Sequence, residues 1–213
     1  MSGLEAIWLG LVQGLTEFFP VSSSGHLVMF QNLLGIGSEG GLLFEIGVHV
    51  ATLFAILVYY RQRIGELIRG TLSADPDSLV YVAQLAVATI PAVMVGLFAR
   101  QAVERLFVRP GWVAVALIMT GFILWTTRWT VLRAHRLRPS WGLAIGVGLA
   151  QALAIAPGIS RSGTTVAAAL ALGLAPRAAA EFSFLLGTVA IAGAAVLMLP
   201  DMAAASPEQL SDL

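Results

Sequence analysis

The chain has 213 residues, 58% of them apolar and 11% charged, and its twelve basic residues balance twelve acidic ones. A soluble domain of this size needs more polar surface, so at a mean hydropathy of +0.86 the bilayer is the expected solvent. Zero formal charge and no basic run longer than a loop argue against nucleic-acid binding and disorder, and the absence of cysteine excludes disulfides, thiolate metal sites and thiol nucleophiles. The first residues carry Glu5 and no early Lys or Arg, so the N-terminus lacks the basic start of a cleaved signal peptide and is expected to be retained.

In chain order, an apolar run over 4–19 meets Pro20 and the polar stretch Val21-Ser22-Ser23-Ser24-Gly25-His26, then resumes to about Leu34. Neither half is long enough to cross a membrane alone, so 4–35 is predicted to be a re-entrant helical hairpin. Residues 41–60, 79–99 and 110–129 each give the roughly 20 apolar residues that a ~30 Å hydrocarbon core requires. A second interrupted run follows: 141–156 meets Pro157-Gly158-Ile159-Ser160-Arg161-Ser162-Gly163-Thr164-Thr165 and resumes to about Leu172, predicting a second hairpin over 141–173. Residues 178–199 read as a fourth span.

The two hairpins are related. A shift of 138 residues aligns 10–36 with 148–174 without a gap and gives ten identities in 27 positions, Gln13/Gln151, Ser22/Ser160, Ser24/Ser162 and Gly25/Gly163 among them. Three spans separate the hairpins, so they are expected to enter from opposite faces. The fold expectation is therefore an all-α polytopic membrane protein with an inverted-topology repeat, 1–138 and 139–213, whose broken tips meet near the midplane. Two complete repeats would need about 276 residues, so the second is expected to be incomplete by about 60 residues and two spans. Loops 61–78 and 128–140 carry three and four arginines against three in 100–109, which orients the first two to the cytoplasm and the first hairpin outward.

Gln13 and Glu17 lie four apart, on one face of the first half-helix. A carboxylate in such a segment is costly unless it faces water or a partner, and a hydrated hairpin tip is the plainer alternative. Ser22, Ser23 and Ser24 open the next helix, where they can cap backbone N–H groups or contribute to an anion site, with His26 one turn inside. Arg161 in the second tip needs a counter-ion, which Glu17 or a phosphate could supply. Ser160, Ser162, Thr164 and Thr165 place hydroxyls around it. The repeat is chemically asymmetric: Glu17 aligns with Ile155, Ser23 with Arg161 and His26 with Thr164, so one tip brings acid and base and the other positive charge. Glu45 with His49, and Glu181, read as interface or supporting groups.

The stretch Gln13-Gly14-Leu15-Thr16-Glu17-Phe18-Phe19-Pro20-Val21-Ser22-Ser23-Ser24-Gly25-His26 and the motif Pro-Gly-x-Ser-Arg-Ser-x-x-Thr over 157–165 resemble the two signatures of the undecaprenyl-pyrophosphate phosphatase family of the bacitracin-resistance (BacA/UppP) type. Lesser echoes are Phe44-Glu45 with His49, Ile90-Pro91 and Glu181-Phe182-Ser183-Phe184. The resemblance implies an enzyme of the bacterial inner membrane, with its site facing the periplasm, that hydrolyses undecaprenyl pyrophosphate to the monophosphate and phosphate. It implies a divalent metal, Mg²⁺ or Ca²⁺, and a functional core of Glu17, Ser23, His26 and Arg161. A homodimer is admitted, and nucleic acid is not a partner. Gln13 stands where a second carboxylate could stand, which weakens a metal site built on two acids; the last two family spans are not in the chain.

On this reading Arg161 and both helix N-termini, with Ser22, Ser24, Ser160, Ser162, Thr164 and Thr165, bind the pyrophosphate, while Glu17 with Gln13 holds the metal. The nucleophile is Ser23 or a water activated by His26 or Glu17, with Ser23 preferred. The competing classes are a transporter or flippase, since inverted repeats with broken helices also build transporters, and an inactive truncated homologue. The type-2 phosphatidic-acid phosphatases share a Ser-Gly-His but need a lysine motif, and this chain has no lysine.

Overall fold

The computed structural model describes residues 3–35 and 41–204, without the side chains of 41–46, 194–195 and 197–204. The described residues are helical: α1 Gly3–Phe18, α2 Ser23–Leu34, α3 Gly41–Tyr59, α4 Arg61–Leu72, α5 Pro76–Phe98, α6 Arg100–Phe107, α7 Pro110–Thr130, α8 Trp141–Leu153, α9 Arg161–Ala171 and α10 Pro176–Ala204. A single 3-10 turn, Val131–Arg133, follows α7.

The helices stop and start where local chemistry dictates. Proline has no N–H and disfavours helix in the residue before it, so α1 ends ahead of Pro20. Ser22 then caps α2, its Oγ accepting from Gly25 N at 3.3 Å, and Gly35 closes α2 at φ 68° in the left-handed region. Asp75 caps α5 ahead of Pro76, and Ser140 and Ser160 cap α8 and α9. The second break is made by Gly158 at φ 92° next to Pro157.

The spans expected at 41–60, 79–99, 110–129 and 178–199 correspond to α3, α5, α7 and α10, with ends displaced by a few residues. Pro76, Pro110 and Pro176 start helices rather than breaking them, because a first-turn N–H has no helical partner to lose. The stretches expected to be loops, 61–78 and 100–109, contain α4 and α6. Each presents arginines outward, and Arg100 Nε donates to Glu104 Oε1 at 2.7 Å across one turn of α6.

The distribution of polarity is that of a membrane protein. Pro76–Phe98 and Pro110–Arg133 are long and apolar enough to cross a bilayer, with mean hydropathy 1.9 and 1.5, and only 17% of each apolar window is buried inside the protein. Phe98, Phe122, Leu149 and Leu153 face outward, whereas Gln13, Glu17, Ser23, Gln84, Thr120, Gln151 and Thr165 are buried. A water-soluble core would show the reverse.

Helices α5 and α8 share the broadest interface. They meet at Gly148, where a Cβ would come within 2.5 Å of Ala88 O, so only glycine admits this close approach. α9 lies against α7, α8 and α10, and α2 lies against α1 and α7. At one end of the bundle Arg136 N donates to Gly173 O at 2.9 Å and Ala175 N to Arg136 O at 2.8 Å, joining the chain just before α8 to the chain just after α9. Arg63–Glu181 and Arg138–Asp77, both 2.7 Å, bind α4 to α10 and the segment before α8 to α5 at that same end.

Candidate active site

Two short breaks, residues 19–22 and 154–160, come together inside the bundle. A Cβ on Gly25 would lie 2.8 Å from Gly158 Cα, and one on Gly163 would lie 2.7 Å from Pro20 O. Gly25 and Gly163 are equivalent at the 138-residue offset, and so are Pro20 and Gly158. Each tip therefore seats the first turn of the other's second half-helix, by the same pair of positions used in both directions.

Glu17 closes α1 and is 6% exposed. Its Oε1 accepts from Arg161 Nη2 at 2.5 Å, and its Oε2 accepts from Ser23 Oγ in a short hydrogen bond and from Gln13 Nε2 at 3.1 Å. Arg161, first residue of α9 and 23% exposed, also donates from Nη1 to Gly187 O of α10 at 3.0 Å. Acid, hydroxyl and guanidinium thus form one connected set from three helices. They line a cavity of about 210 Å³ together with Ser22, Ser24, Ser160 and Ser162.

Residues 6–212 match the family described as Bacitracin resistance protein BacA. The chain belongs to the BacA family. It is 40% identical to the undecaprenyl-diphosphatase of Desulfatibacillum aliphaticivorans, over all of this chain and 83% of that protein. It is 45% identical to the undecaprenyl-diphosphatase of Carboxydothermus hydrogenoformans, over 93% of this chain and 74% of that one. The undecaprenyl-diphosphatase of Bordetella avium is 38% identical over 91% and 74% respectively.

Of the other residues singled out in this BacA-family sequence, Gln13, His26, Thr164, Thr165 and Glu181 lie off the cavity lining. Gln13 is fully buried behind Glu17. His26 Nδ1 donates to Ser22 O at 2.7 Å, which puts the proton on Nδ1 and leaves Nε2 as the basic nitrogen. Thr164 is buried with an unpartnered hydroxyl. Thr165 is fully buried, and its hydroxyl donates back to Arg161 O at 2.8 Å within its own helix. Glu181 sits away from the cavity, on Arg63 and Tyr81. The side chain of Glu45 lies outside the described residues.

Three participants were not singled out for the site from sequence. His49 lines the cavity with Nε2 3.8 Å from Glu17 Oε2, and its signals were its place one turn after Glu45 and the faint family echo there. Phe107 of α6 forms another part of the wall. Thr120 of α7 accepts from Ser160 N at 2.9 Å and donates to Gly158 O at 2.8 Å, bracing the second break from an uninterrupted helix. Backbone groups freed by a break and buried inside the protein need other partners, so one threonine does what a ladder bond would do elsewhere. Thr120→Val, which keeps the shape and removes both bonds, is expected to cost about 1–3 kcal/mol. It should lower the melting temperature in detergent and raise KM more than it lowers kcat, because Arg161 follows directly on Ser160.

For a divalent cation the donors are few. Among the described residues no three His, Cys, Asp or Glu side chains cluster, and Glu17 is the one carboxylate on the cavity. Gln13 Oε1, buried and without a hydrogen-bond partner, is a second oxygen donor beside it. One carboxylate and one amide oxygen suit a Mg²⁺-type ion that takes its remaining ligands from phosphates and water.

Proposed function

We propose that this protein is an integral-membrane phosphatase that hydrolyses undecaprenyl pyrophosphate to undecaprenyl phosphate and inorganic phosphate, recycling the lipid carrier of cell-wall synthesis. The observation that carries the proposal is the Arg161–Glu17–Ser23 set in one cavity between two helix N-termini. The undecaprenyl-diphosphatase relatives supply the substrate class.

In this mechanism Arg161 turns its guanidinium to the terminal phosphoryl group, and the first-turn N–H groups of α2 and α9 add donors for its oxygens. Ser23 Oγ attacks the terminal phosphorus and passes its proton to Glu17 Oε2. The bridging P–O bond breaks, and undecaprenyl phosphate leaves with that electron pair. Water then attacks the phosphoseryl group and gives a proton to Glu17, whose first proton has gone to solvent; the P–Oγ bond breaks, Ser23 Oγ takes that proton from Glu17, and inorganic phosphate departs. Ser22, Ser24, Ser160 and Ser162 bind phosphate oxygens. His26 and Thr164 act from behind the tips, and the Thr165 back-bond steadies the start of α9. A bound Mg²⁺ or Ca²⁺ supplies neutralisation of phosphate charge; Glu17 and Gln13 Oε1 would hold it.

The reading includes two re-entrant hairpins in an inverted repeat, 1–138 and 139–213, with tips near the midplane. The reciprocal Gly25–Gly158 and Gly163–Pro20 contacts support it, as does the junction of Arg136 with Gly173 and Ala175 that brings both ends of the second hairpin together. Arg63, Arg136, Arg138 and Arg177 gather at that end and favour it as the cytoplasmic side of a bacterial inner membrane. Phe107, from the helix at the other end, lines the active cavity and favours access from the periplasm. Pairing into a homodimer through a lipid-facing side belongs to the same reading, and light scattering in detergent would give the mass of two chains.

The test is phosphate release from undecaprenyl or farnesyl pyrophosphate by the purified chain in detergent. Release with Mg²⁺ that stops with EDTA is the expected result. Transport of the lipid without any release would move the protein into the transporter class.

A further inference from the structure

Each oxygen of Glu17, the one carboxylate on the cavity among the described residues, already accepts a hydrogen bond. Glu17 Oε2 holds Ser23 and Gln13, and Oε1 holds Arg161 at 2.5 Å. A hard divalent ion needs an oxygen of Glu17, and position 13 offers a neutral amide rather than a second acid. An ion arriving alone would meet the positive charge of Arg161 held on Oε1 and would have to push it aside. That would leave a largely buried guanidinium with, among the described residues, only the Gly187 carbonyl to face. A diphosphate removes the obstacle, because it is a better bidentate partner for the guanidinium than one carboxylate oxygen. Oε1 then opens while Oε2 stays on the nucleophile.

We infer that Arg161 gates Glu17: the cation is accepted only together with the diphosphate, and each tightens the binding of the other. This rests on the phosphatase reading above. In the substrate-free protein the Arg161–Glu17 pair is a latch between the tips, and it keeps the site from being loaded with metal ahead of substrate. Removing the latch residue should let metal in without substrate, an outcome that simple bridging of metal between phosphate and carboxylate does not produce.

The experiment titrates Mn²⁺ into the full chain in detergent and follows free Mn²⁺ by electron paramagnetic resonance, with and without a non-hydrolysable farnesyl methylenediphosphonate. Calorimetry measures the binding of that analogue separately. The wild-type chain should bind Mn²⁺ at least ~10-fold more tightly with the analogue than without, and by linkage the analogue should gain the same factor from Mn²⁺. Glu17→Gln should lose that gain, which separates binding on the protein from Mn²⁺ held by the analogue in solution. Arg161→Gln should bind Mn²⁺ without analogue about 10-fold more tightly than wild type. Equal Mn²⁺ affinity with and without analogue in the wild-type chain overturns the inference, as does a folded Arg161→Gln that binds no more tightly. If Arg161→Gln does not fold, the wild-type comparison and Glu17→Gln decide. Failure of the analogue to bind under any condition would bring down the phosphatase reading as well, whereas analogue binding without coupling removes only the gate.

Discussion

Arg161→Ala is expected to abolish phosphate release, lowering kcat/KM by at least ~10³-fold, and to destabilise the protein at the same time. The catalytic loss follows from removing the guanidinium that, among the described residues on the cavity lining, can take phosphate oxygens in pairs. The stability loss has a separate origin. Glu17 is 6% exposed and would lose the one arginine that pairs with it among the described residues, and breaking a buried pair from one side costs about 3–5 kcal/mol. Ser23 and Gln13 still donate to Oε2, so the lower end of that range applies. Arg161→Lys separates the two effects. It keeps a charge near Glu17 and should recover much of the melting temperature, but it cannot bond Gly187 O and a phosphate with a planar fork and should stay well below wild type in kcat/KM. Melting curves and steady-state kinetics on the two variants check this; an Arg161→Ala enzyme within tenfold of wild type would remove Arg161 from the mechanism.

Ser23→Ala has the second-largest expected effect. The hydroxyl is buried, hydrogen-bonded to Glu17, and sits on the cavity beside Arg161. If it is the nucleophile, kcat should fall by about 10³-fold or more while the affinity for a diphosphate analogue stays close to wild type. Its neighbours supply the contrast. Ser22→Ala removes the cap of α2 and should cost about 1 kcal/mol of stability, with a smaller loss of rate. Ser24 contributes only a lining hydroxyl. A Ser23→Ala enzyme that keeps its rate would transfer the attack to water, with Glu17 as the base.

The two breaks were readable because Pro20 and Pro157-Gly158 interrupt apolar runs together with serines, a histidine and an arginine that are costly at membrane depth. The Glu17–Arg161 pair, 144 residues apart, was foreseeable from the repeat and from the cost of an unpaired charge in each tip. Helices α4 and α6 were less legible. Their arginines read as loop charge, although an amphipathic segment needs only a few apolar residues, such as Leu67, to lie on the protein. Span ends moved because a proline at a helix start and a proline inside a helix look alike until the cap is known. Thr120 and Gly187 gave no signal. A threonine or glycine in an apolar span has many structural uses, and only tertiary packing brings these two to the second tip and to Arg161. His26, Thr164 and Thr165 stand in the motifs, three or four residues past Ser23 or Arg161, yet none of them lines the cavity, because each sits one turn deeper along its helix.

The most direct test of the account is a single-turnover reaction with excess purified enzyme and a pyrophosphate substrate labelled in its terminal phosphorus, acid-quenched over the first turnover and mapped by peptide. The account predicts label on Ser23 that rises and decays as free phosphate forms. Label on any other residue, or phosphate released with no labelled enzyme at any quench time, would contradict it.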